Sequence, residues 1–74
     1  MKNVLDLHGM NHNEAIEKSE DFLLKLSVTP YFDGTLIKGN SQYLQEKIIK
    51  YVLNKHKFNY YIPTWNQGTI IISQ

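Results

Sequence analysis

The chain has 74 residues, no cysteine and a formal net charge of +1. A domain of that length buries only about 60% of the surface its unfolded chain exposes, which argues against a deep active site and for a shallow groove suited to a large substrate. The lack of cysteine rules out disulfides and thiolate–metal sites.

The opening "MKNVLDLHG" lacks the long apolar run of a signal peptide, and no stretch approaches the ~20 apolar residues of a membrane span. The expectation is a cytoplasmic protein without a membrane partner. The small net charge hides an asymmetry. Residues 1–37 hold Lys2, Lys18 and Lys25 against Asp6, Glu14, Glu17, Glu20, Asp21 and Asp33. Residues 38–74 hold Lys38, Lys47, Lys50, Lys55 and Lys57 against Glu46 alone. A basic second half is compatible with a polyanion. Every one of these cations is lysine, so arginine's bidentate grip on phosphate or guanine is missing. Contact with a phosphate backbone fits better than readout of base edges.

Val4 to Leu7 reads as a short strand, with Leu5 and Leu7 on one face and Asp6 and His8 on the other. "NHNEAIEKSEDFLLKLS" reads as a helix. Asn11 and Glu14 have capping-box spacing, and Ala15, Ile16, Ser19, Phe22, Leu23 and Leu26 share one face at period 3.6. Pro30 and "FDG" break the chain before a second strand, Thr35 to Ile37. "KGNS" is a glycine turn, with Asn40 or Ser41 as the cap of the next helix. In that helix, "QYLQEKIIKYVLNKHK", the period places Leu44, Ile48, Tyr51 and Val52 on the buried face. Lys47, Lys50 and Asn54 fall on its wet side. Phe58 to Ile62 is a third strand, "PTWNQG" a loop, and Thr69 to Ile72 a fourth strand.

The order βαβαββ predicts a two-layer α/β sandwich, a four-stranded mixed sheet with two helices on one face. The two strand–helix–strand units call for right-handed crossovers and parallel neighbours, with the last strand returning antiparallel. The first three strands then share a carboxyl-end edge, where ligands of open α/β sheets bind. "DLHG", "IKGNS" and "PTWNQG" all lie there, and both helices begin there with unpaired N–H groups that suit a phosphate.

Several residues of this edge carry two readings. Asp6 and His8 stand about 7 Å apart on one strand face. An imidazole trades protons near neutral pH, and a neighbouring carboxylate can orient it or accept a proton. The same pair is also an ordinary polar strand boundary. Lys38 is either a phosphate contact or a solvated turn lysine. Trp65 either stacks on a base or caps the open side of the sheet. The helix lysines are either a footprint for phosphates or a plain solvent face, and His12 and His56 read as surface residues. His8 and His12 lack a third ligand, so no metal is expected.

"VLDLHGMNHNEAIEKSEDFLLKL", followed by an apolar strand ending in a Lys-Gly turn, resembles the small MutS-related (Smr) domain over nearly the whole chain, 1–74 as one domain. That family opens with a Leu-Asp-Leu-His-Gly strand end and enters a helix through Glu-Ala; here these are Leu5 to Gly9 and Glu14-Ala15. The later motifs differ. Lys38 stands where the family has His or Thr, Asn40-Ser41 where a further glycine falls, and Gly68 is the remaining glycine of a Gly-x-Gly, with Asn66 as its counterpart.

The resemblance implies a fold like the C-terminal domain of a bacterial translation initiation factor, and an endonuclease that cleaves RNA or nicks DNA. It implies no metal and no cofactor. Asp6 and His8 are then the catalytic pair, assisted by Lys38. Nucleic-acid contacts are expected from Gly9, Gly39, Asn40, Ser41, Tyr43, Lys47, Trp65 and Gly68. RNA or DNA is the expected partner, with a ribosome or a MutS-like ATPase as a further one, in ribosome rescue or DNA repair. The domain itself is expected to be a monomer. A catalytically inactive nucleic-acid-binding module and a protein-interaction domain are the alternatives.

Overall fold

The computed structural model describes residues 3–73, so Lys2 lies outside it. Strand β1 covers Val4–Asp6, helix α1 His12–Leu26 and strand β2 Asp33–Ile37. Helix α2 covers Gln42–Ile48 and continues as a π-helical turn over Ile49–Leu53, followed by β3 Asn59–Tyr61 and β4 Thr69–Ser73. The result is a small α/β domain with a four-stranded mixed sheet. No helix among the described residues is long and apolar enough to cross a membrane.

Both helix starts follow from local hydrogen bonds. The Asn11 side chain accepts the Glu14 N–H at 2.8 Å, and Ser41 Oγ, not Asn40, accepts the Leu44 N–H at 3.1 Å. Each satisfies a donor that the first helical turn leaves unpaired.

The sheet order is β1-β2-β4-β3. β1 and β2 are parallel, and β4 is antiparallel to both β2 and β3. β1, β2 and β3 therefore run the same way, as the element order predicts. The second crossover departs from expectation, because it delivers β3 past β4 instead of beside β2. Composition supplies the reason. β4 buries Thr69, Ile70 and Ile72 and takes an inner place with two neighbours. β3, whose Asn59, Tyr60 and Tyr61 are all exposed, goes to the edge.

One sheet face carries the core. Leu36 and Gly34 of β2 lie opposite Ile70 and Ile72 of β4. Onto them pack Ala15 and Leu23 of α1 and Leu44, Ile48, Val52 and Leu53 from the second helix. The period-3.6 face of α1 matches the sequence reading, with Ala15, Ser19 and Leu23 fully buried and Ile16, Phe22 and Leu26 partly so. The second helix matches at Leu44, Ile48 and Val52 but not throughout its last turn. Tyr51 is exposed and Leu53 is buried. In an unbroken α-helix Leu53 would stand on the side opposite Leu44. The π turn, closed by the Asn54 N–H donating to Ile49 O at 2.8 Å, adds a residue and rotates the following side chains. Tyr51 turns outward and Leu53 inward.

The end of the second helix is tied to the middle of α1 by a charge cluster. His56 Nε2 lies 2.7 Å from Glu20 Oε2, and Lys55 Nζ lies 3.1 Å from the same oxygen. His56 is thus a structural partner and not the plain surface histidine its position in the sequence implies. These hydrogen bonds, the one with His56 foremost, hold the Glu20 carboxyl below its ordinary 4.5. A depressed carboxyl contributes stability above its unfolded pKa and loses it as pH falls through the folded value. The stability gap between wild type and Glu20→Gln is therefore expected to be full near neutrality and to close below about pH 4.5, read by urea unfolding across an acid series.

A second prediction concerns the core. Ser19 Oγ is buried and finds no hydrogen-bond partner among the described residues. A buried unpaired hydroxyl is costly, and alanine is the better helix former. Ser19→Ala should raise the unfolding free energy by about 1 kcal/mol, measured by the shift in urea midpoint at constant m.

Candidate functional site

The carboxyl-end edge is assembled by main-chain bonds between loops. The Gly68 carbonyl accepts the N–H of Lys38 at 2.8 Å and that of Gly39 at 3.0 Å. This joins the β2–α2 loop to the β3–β4 loop. On the other side the Leu7 N–H donates to Ile37 O at 2.9 Å, so the end of "DLHG" lies against the same β2 terminus. The three polar loops do meet at one edge. The two helix starts also meet, since the rings of His12 and Tyr43 stand 4.7 Å apart.

Asp6 closes the first strand with an Asx turn. Its Oδ1 accepts the His8 backbone N–H at 2.9 Å. The link between the two candidate catalytic residues therefore runs through the His8 main chain and not through its imidazole. His8 and Gly9 are exposed. Gly9 has φ +82° and Gly39 has φ +71°, a left-handed conformation that costs an L-residue roughly 1–2 kcal/mol. Glycine at these turns answers a backbone requirement.

Lys38 differs most from expectation. It is neither a solvated turn lysine nor a free cation facing the edge, being only 8% exposed. Its Nζ donates to Gln67 O at 2.8 Å and to Gly39 O at 3.1 Å. Burial pushes its pKa below the ordinary 10.5, and the two carbonyls offset the cost of desolvating the charge. Lys38 is a clamp between the two loops that Gly68 also joins.

The remaining candidates separate into two groups. Asn40 is exposed beside Gly39, and Ser41 is committed to its cap. Trp65 is 77% exposed on the turn closed by the Asn66 N–H to Pro63 O, so it does not cap the sheet. Asn66 braces its own loop, accepting the Gly68 N–H on Oδ1 and the Thr69 hydroxyl on its carbonyl. Tyr43 stands at the start of α2 and Lys47 one turn further along it, with the Lys47 ammonium 5.2 Å from the Tyr43 ring centroid.

A shallow concavity of about 490 Å³ lies on the helix-free face of the sheet. Thr35, Ile37, Tyr61, Asn66, Thr69 and Ile71 are among its lining residues, together with Asp33. Asp6, His8 and Lys38 do not line it. Among the described residues no three His, Asp or Glu side chains gather as a metal site would require. His12, as a partner of Tyr43, is the site-region residue that sequence reasoning passed over. The signal that could have found it is its place as the first residue of α1, beside the start of α2.

The chain matches no protein-family model, no curated protein and no solved structure.

Lys38→Met keeps the aliphatic stem and removes the donors. Leaving the Gln67 and Gly39 carbonyls unpaired should cost about 1–3 kcal/mol. It should also speed hydrogen exchange at the amides of residues 38 and 39. Unchanged stability and exchange would show that the clamp holds nothing.

Proposed function

We propose that this protein binds nucleic acid at the loop edge and cleaves it as a metal-independent endonuclease, with Asp6 and His8 carrying the chemistry. The supporting observation is the meeting of three loops at one edge, with the Asp6–His8 strand end exposed among them. The Leu5–Gly9 and Glu14-Ala15 motifs add their resemblance to the Smr domain. A fold like the C-terminal domain of a bacterial translation initiation factor belongs to the same proposal.

On RNA, the 2′-hydroxyl beside the scissile phosphate attacks phosphorus. Asp6 or His8 takes the hydroxyl proton as the new O–P bond forms. The bond to the 5′ oxygen breaks, and His8 or a water returns a proton to that oxygen. The products are a 2′,3′-cyclic phosphate and a 5′-hydroxyl. On DNA, water takes the place of the 2′-hydroxyl. Lys38, spent on two carbonyls, contributes by fixing the loops and not by touching phosphate. Trp65 offers its exposed ring to an unpaired base.

The internal commitment of Lys38 also favours a second reading, a binding module without chemistry. A structured RNA and a supercoiled plasmid, each incubated with chelator, separate the two. Cleavage by wild type that falls about 10²- to 10⁴-fold in Asp6→Ala and in His8→Ala supports the endonuclease. Equal cleavage by the variants removes the pair from the mechanism. Salt-dependent binding without product selects the second reading, and no binding at low salt sinks both.

A further inference from the structure

The second helix carries a row of rings and cations that the loop edge does not explain. Lys47 Nζ sits 5.2 Å from the Tyr43 centroid and 5.3 Å from that of Tyr51, and Lys50 Nζ sits 5.5 Å from Tyr51. His12 extends the row across to α1 by its contact with Tyr43. Tyr43 is 55% exposed and Tyr51 45%. The described ion pairs join Lys25 to Asp21 and Lys55 and His56 to Glu20. Among the described residues neither Lys47 nor Lys50 forms an ion pair, and Glu46 is the one acid on their helix.

Tyr43, Lys47 and Tyr51 recur every four residues along one helix face, and the π turn decides how far the second ring is exposed. In an unbroken α-helix Tyr51 would lie close to the Leu44 line and face the core. The extra residue over Ile49–Leu53 turns it outward, into line with Lys47. A π turn has poorer hydrogen-bond geometry than the helix it interrupts and often marks a functional position. Here its visible product is the exposed second ring of the row.

We propose that this face of the second helix is a platform for a single-stranded polynucleotide, which it holds as the strand passes to or from the loop edge; the proposal rests on the nucleic-acid reading above. Positive charge outside those ion pairs suits a phosphate chain. Exposed rings about 12 Å apart along the helix, from Tyr43 to Tyr51, offer faces on which unpaired bases stack. Bases within a duplex are already stacked and cannot reach them. Without arginine the row lacks the bidentate fork best suited to base edges, and stacking on rings accepts any base, which favours binding tolerant of sequence. On the opposite side of the molecule, the one charged group among the described residues lining the concavity is an acid, Asp33, which disfavours phosphate there.

Fluorescence anisotropy with a short labelled single-stranded RNA, its DNA equivalent and the matching RNA duplex tests the platform. Tyr51→Ala should weaken both single strands about 5- to 150-fold, the range for losing one stacked base, while Tyr51→Phe retains binding. Lys47→Ala and Lys50→Ala should each lower the slope of log K against log salt by about 0.7. Far-ultraviolet circular dichroism confirms that each variant is folded. Wild-type binding that none of these substitutions changes overturns the platform and leaves the loop-edge reading standing. Duplex bound as tightly as single strand also overturns it. So does polyglutamate that displaces the RNA and loses its own affinity in Tyr51→Ala, which makes the face a protein-docking surface. No binding of either polynucleotide by wild type ends both readings.

Discussion

One backbone oxygen, the carbonyl of Gly68, accepts the two N–H groups of Lys38 and Gly39, and the candidate edge depends on that junction. It exists because β4 lies between β2 and β3, which carries the β3–β4 loop back over the end of β2. With β3 beside β2, the two loops would leave the sheet from different places. The Lys38 ammonium then reinforces the contact from within, across to Gln67. An unpaired buried carbonyl costs more than a made hydrogen bond returns, so the junction and its clamp stabilise each other.

The separation of charge over the surface follows from the same arrangement. Helix α1 carries most of the acids, and the second helix carries lysines interleaved with tyrosines. Glu20, mid-way along α1, is where the two charge sets meet, binding Lys55 and His56 past the end of the second helix. The His12–Tyr43 contact joins the helix starts. The two helices are therefore joined by an aromatic contact at their starts and by ion pairs from the middle of α1 to the end of the second helix, beside the aliphatic core.

Much of this was legible in the sequence, and the exceptions have physical causes. Alternation at Leu5 and Leu7, the Asn11 cap and the apolar period of α1 are local signals, and each appears in the structure as read. The direction of the first three strands follows from the two crossovers. The place of β4 does not, because it depends on comparing how much apolar surface β3 and β4 each bury. Tyr51 falls outside the buried face that periodicity predicts, and Leu53 falls inside it, because the argument assumes a constant 3.6 residues per turn and one π turn breaks it. Both sequence readings of Lys38, phosphate contact and solvated turn lysine, leave it exposed, because lysine is almost never buried unless paired and its partners are main-chain carbonyls that side-chain patterns do not reveal. The site was legible as a set of loops, but not in which residues are free to act.

The strand lengths carry one more consequence. The inner strands β2 and β4 have five residues each, and the edge strands β1 and β3 have three. An edge strand offers a row of unpaired backbone groups to any other chain, and shortness is one of the ways proteins blunt that template. Among the described residues nothing packs over the helix-free face as a further layer, and the strands at the borders of the sheet are brief. The geometry permits a bare β-surface while giving edge-to-edge polymerisation little to build on.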